Sequence, residues 1–404
     1  MTTLWPEMES LLAEVQSDVV AWRRHLHRHP ELSYQEHETA RFVYDLLGSF
    51  GALELSRPTP TSVMARLRGT GEGPTVAFRA DMDALAIEEE NTFEFRSARP
   101  GVMHACGHDA HTAILLAAAK VLTRLQPRLR GEIRFFFQHA EEVHPGGAVQ
   151  MVEAGVMDGV DMVLGLHVRS ALEAGVLAIS AGPINAASDR FDITIRGRGG
   201  HAAHPHTAVD SVLVAAEVVT QLQHLVSRNK DPLEPLVLSV TKITGGSAYN
   251  VIPETVQLAG TVRTYSPRLR EQVPAWMERV IEGVTSAHGA TYEFSYRCGY
   301  APLINDPEVA RLVEETLQEA FGPERVRKSQ PGMGGEDFSG FLQAAPGAFF
   351  HLGTGNREKG IVYPHHHPRF TVDEDALMVG VEAFVRLALR TNGRQPQPSA
   401  EERG

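Results

Sequence analysis

Met103-His104-Ala105-Cys106-Gly107-His108-Asp109-Ala110-His111 gathers three His, one Cys and one Asp into nine residues, then runs into an apolar stretch, Ala113 to Leu125, with helical spacing. Cys106 and His108 form a C-x-H pair, and Gly107 between them lets the backbone turn tightly enough for a thiolate and an imidazole to converge on one ion. A capped helix N-terminus that merely carries polar histidines is the competing reading, so the context has to decide.

Outward from that stretch, Val63 to Leu67, Thr75 to Ala80, Ile133 to Phe137 and Met162 to Leu166 read as strands, with the helix between the second and third. This order predicts α/β layers around a largely buried sheet. The second strand runs into Asp81-Met82-Asp83, the third into Gln138-His139-Ala140-Glu141-Glu142 and the fourth into His167. Ligands gather at the carboxyl ends of strands in open α/β sheets, so three separate segments point to one crevice. Upstream, Leu11 to His27 has the apolar spacing of an amphipathic helix that ends near His29-Pro30, and the His-rich segment from Arg23 to Ser33 reads as a surface helix end. A second helix, Glu38 to Phe50, stops at Gly51.

Around Gly182-Pro183 the rhythm changes. Phe191, Ile193 and Ile195 alternate with polar residues, Thr207 to Val226 is a long apolar helix, Leu236 to Val240 and Val256 to Val262 are strands, and a helix from Pro267 to His288 precedes a strand from Tyr292 to Tyr296. The order β-α-β-β-α-β is the split βαβ, ferredoxin-like arrangement. The expected architecture is therefore α/β with two domains: an α/β/α domain with a mixed sheet over 1–186 and 297–391, interrupted by an α+β insertion over 187–296. Its later part holds helices near Glu308 to Phe321 and Glu374 to Leu389, a strand at Phe349 to Leu352, and the segment Tyr363 to Phe370. Residues 392–404, rich in Gly, Pro, Gln and charge, read as a frayed tail.

The bulk properties agree with two domains, since 404 residues exceed what one hydrophobic core usually serves. A formal charge of -12 with no Lys/Arg-rich run argues against a general nucleic-acid binder. Cys106 and Cys298, the two cysteines, are too few for a disulfide framework and fit a reducing cytoplasm. Glu7 and Glu9 break the order of a signal peptide, and no apolar run is long enough to span a bilayer.

Glu141-Glu142 after a buried strand needs a reason, because two adjacent desolvated carboxylates repel unless a cation intervenes. With a divalent ion between them, one Glu can ligate while its neighbour takes a proton from activated water. His167 and the His365-His366-His367-Pro368 segment add imidazoles, and mixed N, S and O donors suit Zn, Mn, Co or Ni better than Ca or Mg.

Together His27-Arg28-His29-Pro30-Glu31-Leu32, Arg79 to Leu85, His104 to Asp109, Glu141-Glu142, Gly200-His201-Ala202-Ala203-His204-Pro205, Gly334-Gly335-Glu336-Asp337-Phe338 and His366-His367-Pro368 resemble the metal-dependent aminoacylase and carboxypeptidase family of amidohydrolases. That family includes hippurate hydrolases and hydrolases of indole-acetyl amino acids. The resemblance implies two divalent ions held by Cys106, His108, Glu142, His167 and His366, with Glu141 as the general base. It puts Asp83 where a carboxylate orients the metal site, and His201 where a lid histidine supports the tetrahedral oxyanion, often in a neighbouring subunit's site. Asn250 and Arg263 are the substrate-contact candidates, with a solvent-facing charge as the alternative for Arg263. The implied reaction is hydrolysis of an N-acyl amino acid or short peptide by a cytoplasmic homodimer joined through the insertion, with neither nucleic acid nor membrane as partner. Many members carry Pro where this chain has His139, which leaves the metal chemistry intact and the acyl preference open. Rival readings are a cysteine hydrolase with Cys106 as nucleophile and His108 as base, a non-catalytic ligand-binding protein on the same scaffold, and a dipeptidase or carboxypeptidase.

Overall fold

The computed structural model describes residues 4–393. Most of the tail expected over 392–404 therefore lies outside the described residues. Its first residue is a correction: Asn392 is buried, with Nδ2 donating to the carbonyls of Pro74 at 2.8 Å and Arg130 at 2.9 Å. The chain divides into two compact units. The first takes the described parts of Met1–Gly182, Ile304–Gln330 and Asp337–Gly404; the second takes Pro183–Leu303 and Pro331–Glu336.

In chain order the first unit begins with α1 (Leu4–Arg28), α2 (His37–Ser49), β1 (Leu53–Ser56), β2 (Val63–Arg68), β3 (Thr75–Asp81), α3 (His108–Arg124), β4 (Glu132–Gln138), α4 (Gly147–Glu153), β5 (Met162–Glu173) and β6 (Leu177–Ala178). The second unit supplies β7 (Asp189–Arg196), α5 (Ser211–His224), β8 (Leu236–Gly245), β9 (Thr255–Thr264), α6 (Pro267–Ala287) and β10 (Thr291–Arg297). The first unit then resumes with α7 (Pro307–Phe321), β11 (Val326–Arg327), α8 (Ser339–Leu342), β12 (Gly347–Gly355) and α9 (Leu377–Asn392).

The first unit is built on an eight-stranded mixed sheet of order β1-β2-β4-β3-β5-β12-β6-β11. At its centre β4, β3, β5 and β12 run parallel, while β1, β2 and β6 join antiparallel. Both faces are covered, so β3 and β4 are buried at every position after the first. This is why their sequences read as unbroken apolar runs. On one face Phe78 and Phe350 pack on Phe384 of α9, at 5.3 and 5.8 Å between ring centroids. On the other, Phe136 meets Phe341 of α8 at 5.5 Å and Phe349 meets Phe338 at 5.0 Å.

Helices α1, α3 and α9 pack together over the first face. The seam between α1 and α3 corrects the surface reading of the His-rich helix end. Arg23 and His27 are buried, and both point at Asp109 Oδ2, from Arg23 Nε and His27 Nδ1 at 2.8 Å each. His27 Nε2 also lies 3.0 Å from Glu89. A cationic helix end is indeed favoured, but here its cations neutralise a buried carboxylate rather than meeting solvent.

The second unit is a four-stranded antiparallel sheet, β8-β9-β7-β10, with α5 and α6 on one face. Along β7, Phe191, Ile193 and Ile195 are buried against both helices, while their neighbours reach outward. The period of two dictates that one-sided burial. The helix expected from Thr207 starts at Ser211, because the Asp210 carboxylate accepts the N–H groups of Val212 and Leu213 at 2.9 and 3.2 Å. A buried carboxylate, Asp189, fastens α6 and β10 to β7 by accepting from Arg270 at 2.7 Å and from the Tyr296 hydroxyl at 2.9 Å.

Candidate metal centre

Because β3, β4 and β5 are parallel neighbours, the carboxyl ends of β3 and β4 deliver Asp83 and Glu141-Glu142 level with His167, which lies midway along the longer β5. The fourth contribution is the first turn of α3, which begins at His108 rather than at the expected Ala113 and so holds His108 and His111 in regular helix. Gly107 precedes it at φ 95, and a Cβ there would stand 2.3 Å from Val168 Cγ2, so only glycine fits. The loop after β12 brings the last member, His366, held at φ 65 with its N–H donating to Ala105 O at 2.8 Å.

The donor atoms form overlapping groups, each within 4.8 Å: Cys106, His108 and His167; Cys106, Glu142 and His366; and His108, Glu141 and Glu142. Sharing Cys106, His108 and Glu142, these groups make one cluster. The sulfur of Cys106 is 3.5 Å from His167 Nε2, and His366 Nε2 is 3.1 Å from Glu142 Oε1. Each inner imidazole is oriented by its other nitrogen: His108 Nδ1 donates to the Asp83 carbonyl at 2.9 Å, and His167 Nδ1 donates to the Val168 carbonyl at 2.7 Å. Both rings therefore aim an Nε2 lone pair inward. His108 Nε2 is buried with no hydrogen-bond partner among the described residues, an orphaned nitrogen that fits a metal ligand.

Asp83 ties the cluster together. Its Oδ1 is 3.2 Å from His108 Nδ1, while Oδ2 accepts from Ser33 at 2.7 Å and from the Glu142 N–H at 3.0 Å. Burial opposes charge on His108, yet Asp81 and Asp83 outweigh it and push the imidazole up to about 10. Burial, and then Glu142 and Glu141, hold the Cys106 thiol well above its ordinary value. Negative charge in excess around a thiol and an imidazole is what a divalent cation relieves, by displacing both protons. The same environment counts against Cys106 as a nucleophile, which needs a lowered thiol.

The profile of peptidase family M20/M25/M40 matches residues 77–390, a span that contains every member of the cluster. The chain belongs to the M20/M25/M40 peptidase family. It is 62% identical over 302 residues to an N-acyl-L-amino acid amidohydrolase of Geobacillus stearothermophilus, covering 75% of this chain and 82% of that one. A thermostable carboxypeptidase of Saccharolobus solfataricus is 39% identical over 391 residues, covering 96% and 99% of the two chains. Among solved structures, a dinuclear metal binding peptidase of the M20 family from Bacillus subtilis superposes with a TM-score of 0.82 at 34% identity, over 93% of this chain and 98% of that one. Membership makes this M20 chain a hydrolase of amide bonds, on the two-domain fold of its structural relatives.

The remaining residues singled out from the sequence lie in the second unit. His201 and Asn250 are brought together there, since Val251 pairs with His201 and the Ala202 N–H donates to Asn250 O at 3.0 Å. Both are exposed. The Ala203 N–H donates to His201 Nδ1 at 3.1 Å, so the proton of the neutral ring sits on Nε2. Arg263, on β9, is half-buried and donates from Nε to the Thr261 hydroxyl at 3.1 Å.

His111, Asp81, Arg79 and Glu36 had no assigned role in the sequence. His111 Nδ1 donates to Asp81 Oδ1 at 2.6 Å and His111 Nε2 accepts the Val168 N–H at 2.9 Å, which fixes β5 just beyond His167. Asp81 is held in turn by Arg79 at 2.7 Å, and Arg79 Nη2 reaches Asp337 at 2.9 Å. The i, i+3 spacing of His108 and His111 on a helix was the available signal for this layer. Glu36, fully buried, accepts the Ala140 N–H at 2.8 Å and holds Ala140 at φ 49 directly before Glu141. Burial, with Asp83 adding to it, pushes the Glu36 carboxyl up to about 7. Nothing local in the sequence announces that contact.

Proposed function

We propose that this chain is a metal-dependent aminoacylase, hydrolysing the amide bond of N-acyl amino acids to a carboxylic acid and a free amino acid. The observation that carries the reading is the convergence of Cys106, His108, Glu142, His167 and His366 with Glu141 beside them. Similarity to an amidohydrolase of N-acyl-L-amino acids over most of the chain supports the substrate class. Two divalent ions held by those five residues, drawn from Mn, Zn, Co or Ni, would supply Lewis acidity to a water and to the amide carbonyl.

Glu141, buried next to Glu142, is the general base: it takes the proton of the attacking water and returns it to the leaving nitrogen. Asp83 is a positioning residue, since it touches both His108 and the Glu142 backbone. His201 Nε2–H donates to the developing oxyanion, from the same chain or from a second copy. Asn250 and Arg263 are proposed substrate contacts. The second unit, near the boundaries 187 and 296, acts as lid and dimerisation domain. Its edge strand β8 exposes Val237 and Ile243, and α5 exposes Val212 and Leu213, an apolar surface suited to pairing two copies. The free cysteines Cys106 and Cys298 suit work in the cytoplasm.

Action on short peptides is the second reading, favoured by the similarity to a carboxypeptidase. A screen of N-acetyl, N-benzoyl and N-indoleacetyl amino acids and of dipeptides against metal-reconstituted protein separates the two. Faster turnover of acyl amino acids, abolished by EDTA and restored by added metal, supports the aminoacylase reading. Turnover that survives full chelation removes it.

A further inference from the structure

Arg169 lies on β5 two residues beyond His167, so strand alternation sends both side chains to the same face. On the parallel neighbour β12, His351 is the register partner of His167 and Gly353 that of Arg169, so no side chain flanks Arg169 from that strand. His365 stands close by, its ring 5.2 Å from that of His167 and its Nδ1 3.2 Å from Cys106 O. Its Nε2 is buried without a hydrogen-bond partner among the described residues. Burial works against the Arg169 guanidinium, and Cys106 lies near enough to act on it.

What singles Arg169 out is the absence of an acceptor. Every other described arginine that is not exposed donates to a carboxylate, carbonyl or hydroxyl, as Arg79, Arg134, Arg263, Arg270 and Arg325 do. Arg169 is half-buried and has no hydrogen bond or ion pair among the described residues. None of its nitrogens is among the atoms sealed from solvent, so the donors remain reachable. His351, the register partner of His167, places its Nδ1 3.1 Å from the Ser329 hydroxyl. A planar guanidinium kept partly desolvated and unpaired beside a reaction centre is suited to a carboxylate, whose two oxygens match its fork.

We propose that Arg169 is the specificity-determining residue of the first unit, holding a carboxylate of the substrate beside the Cys106–His167 side of the metal centre. The assignment rests on the aminoacylase reading above. The carboxylate has two sources, the α-carboxylate of the amino acid or an acid group on the acyl chain, and two substrate pairs distinguish them. N-acetyl-L-methionine against N-acetyl-L-methioninamide tests the first; N-succinyl-L-methioninamide against N-butyryl-L-methioninamide tests the second.

In one of the pairs, Arg169→Gln is expected to raise KM for the charged member by about 10- to 100-fold, the size of a lost charged hydrogen-bonded pair. The kcat, the uncharged member and the metal content should stay nearly unchanged, and Arg169→Lys should recover part of the loss. Equal effects on charged and uncharged members, or no effect on either pair, overturn the proposal. If the native protein turns over none of these compounds, the aminoacylase reading fails by itself. Calorimetric titration of the full chain with N-acetyl-L-methionine and with succinate then decides Arg169: weaker binding of either by Arg169→Gln supports it, and equal binding of both overturns it.

Discussion

Glu141 and Glu142 are neighbours in the chain with different work, and substitution should separate them. Glu141→Gln is expected to keep metal content unchanged and lower kcat by about 10²- to 10⁴-fold, the usual contribution of a general base. His366→Ala should instead lower bound metal, read by elemental analysis, because it removes a donor that faces Glu142 at 3.1 Å. At the α1–α3 seam, burial alone would raise the Asp109 carboxyl, but Arg23 and then His27 hold it far below its usual range. Its stabilisation is therefore present above about pH 4, the unfolded carboxyl value, and is lost as the pH falls below it. Asp109→Asn should cost about 3 kcal/mol at pH 7, by removing the buried carboxylate that Arg23 and His27 share, and chemical denaturation should show the gap to the native protein closing below about pH 4. The residues that converge at the candidate centre were legible because their types and motifs are short-range signals. Arg23, His27 and Glu36 were not, since their partners Asp109 and Ala140 lie far along the chain.

Strands and helices were read well where their apolar period is unbroken and less well where the site intrudes. β5 runs on to Glu173, past the Leu166 where its apolar run ends, because His167 and Arg169 are polar residues kept in strand by pairing with β12. Likewise α3 starts five residues before the apolar stretch, at His108, since its first turn faces the centre instead of the core. That turn depends on Gly107: Gly107→Ala forces both a disfavoured φ and a clash with Val168, and should lower Tm and metal content together. Phe384→Ala, which removes the ring shared by Phe78 and Phe350, is expected to cost about 3–5 kcal/mol in denaturant unfolding while leaving metal content intact.

At the scale of the whole molecule, the insertion was legible from the change of period at Gly182-Pro183 and the β-α-β-β-α-β order that follows. The return of Pro331–Glu336 to the second unit was not, since no local pattern marks which unit a loop joins. The homodimer proposed for the second unit is checked by light scattering at micromolar concentration: a mass near twice 44.2 kDa is expected, and a monomer would also remove His201 as a residue acting in a second copy's site. The central claim is that five side chains from distant parts of the sequence hold a pair of cations beside Glu141. Anomalous diffraction from crystals of metal-loaded protein, recorded on both sides of the metal's absorption edge, tests it most directly. The account predicts two neighbouring peaks at bonding distance from Cys106 Sγ, His108 Nε2, Glu142, His167 Nε2 and His366 Nε2. Peaks bound elsewhere, or none at these donors in fully loaded protein, would contradict it.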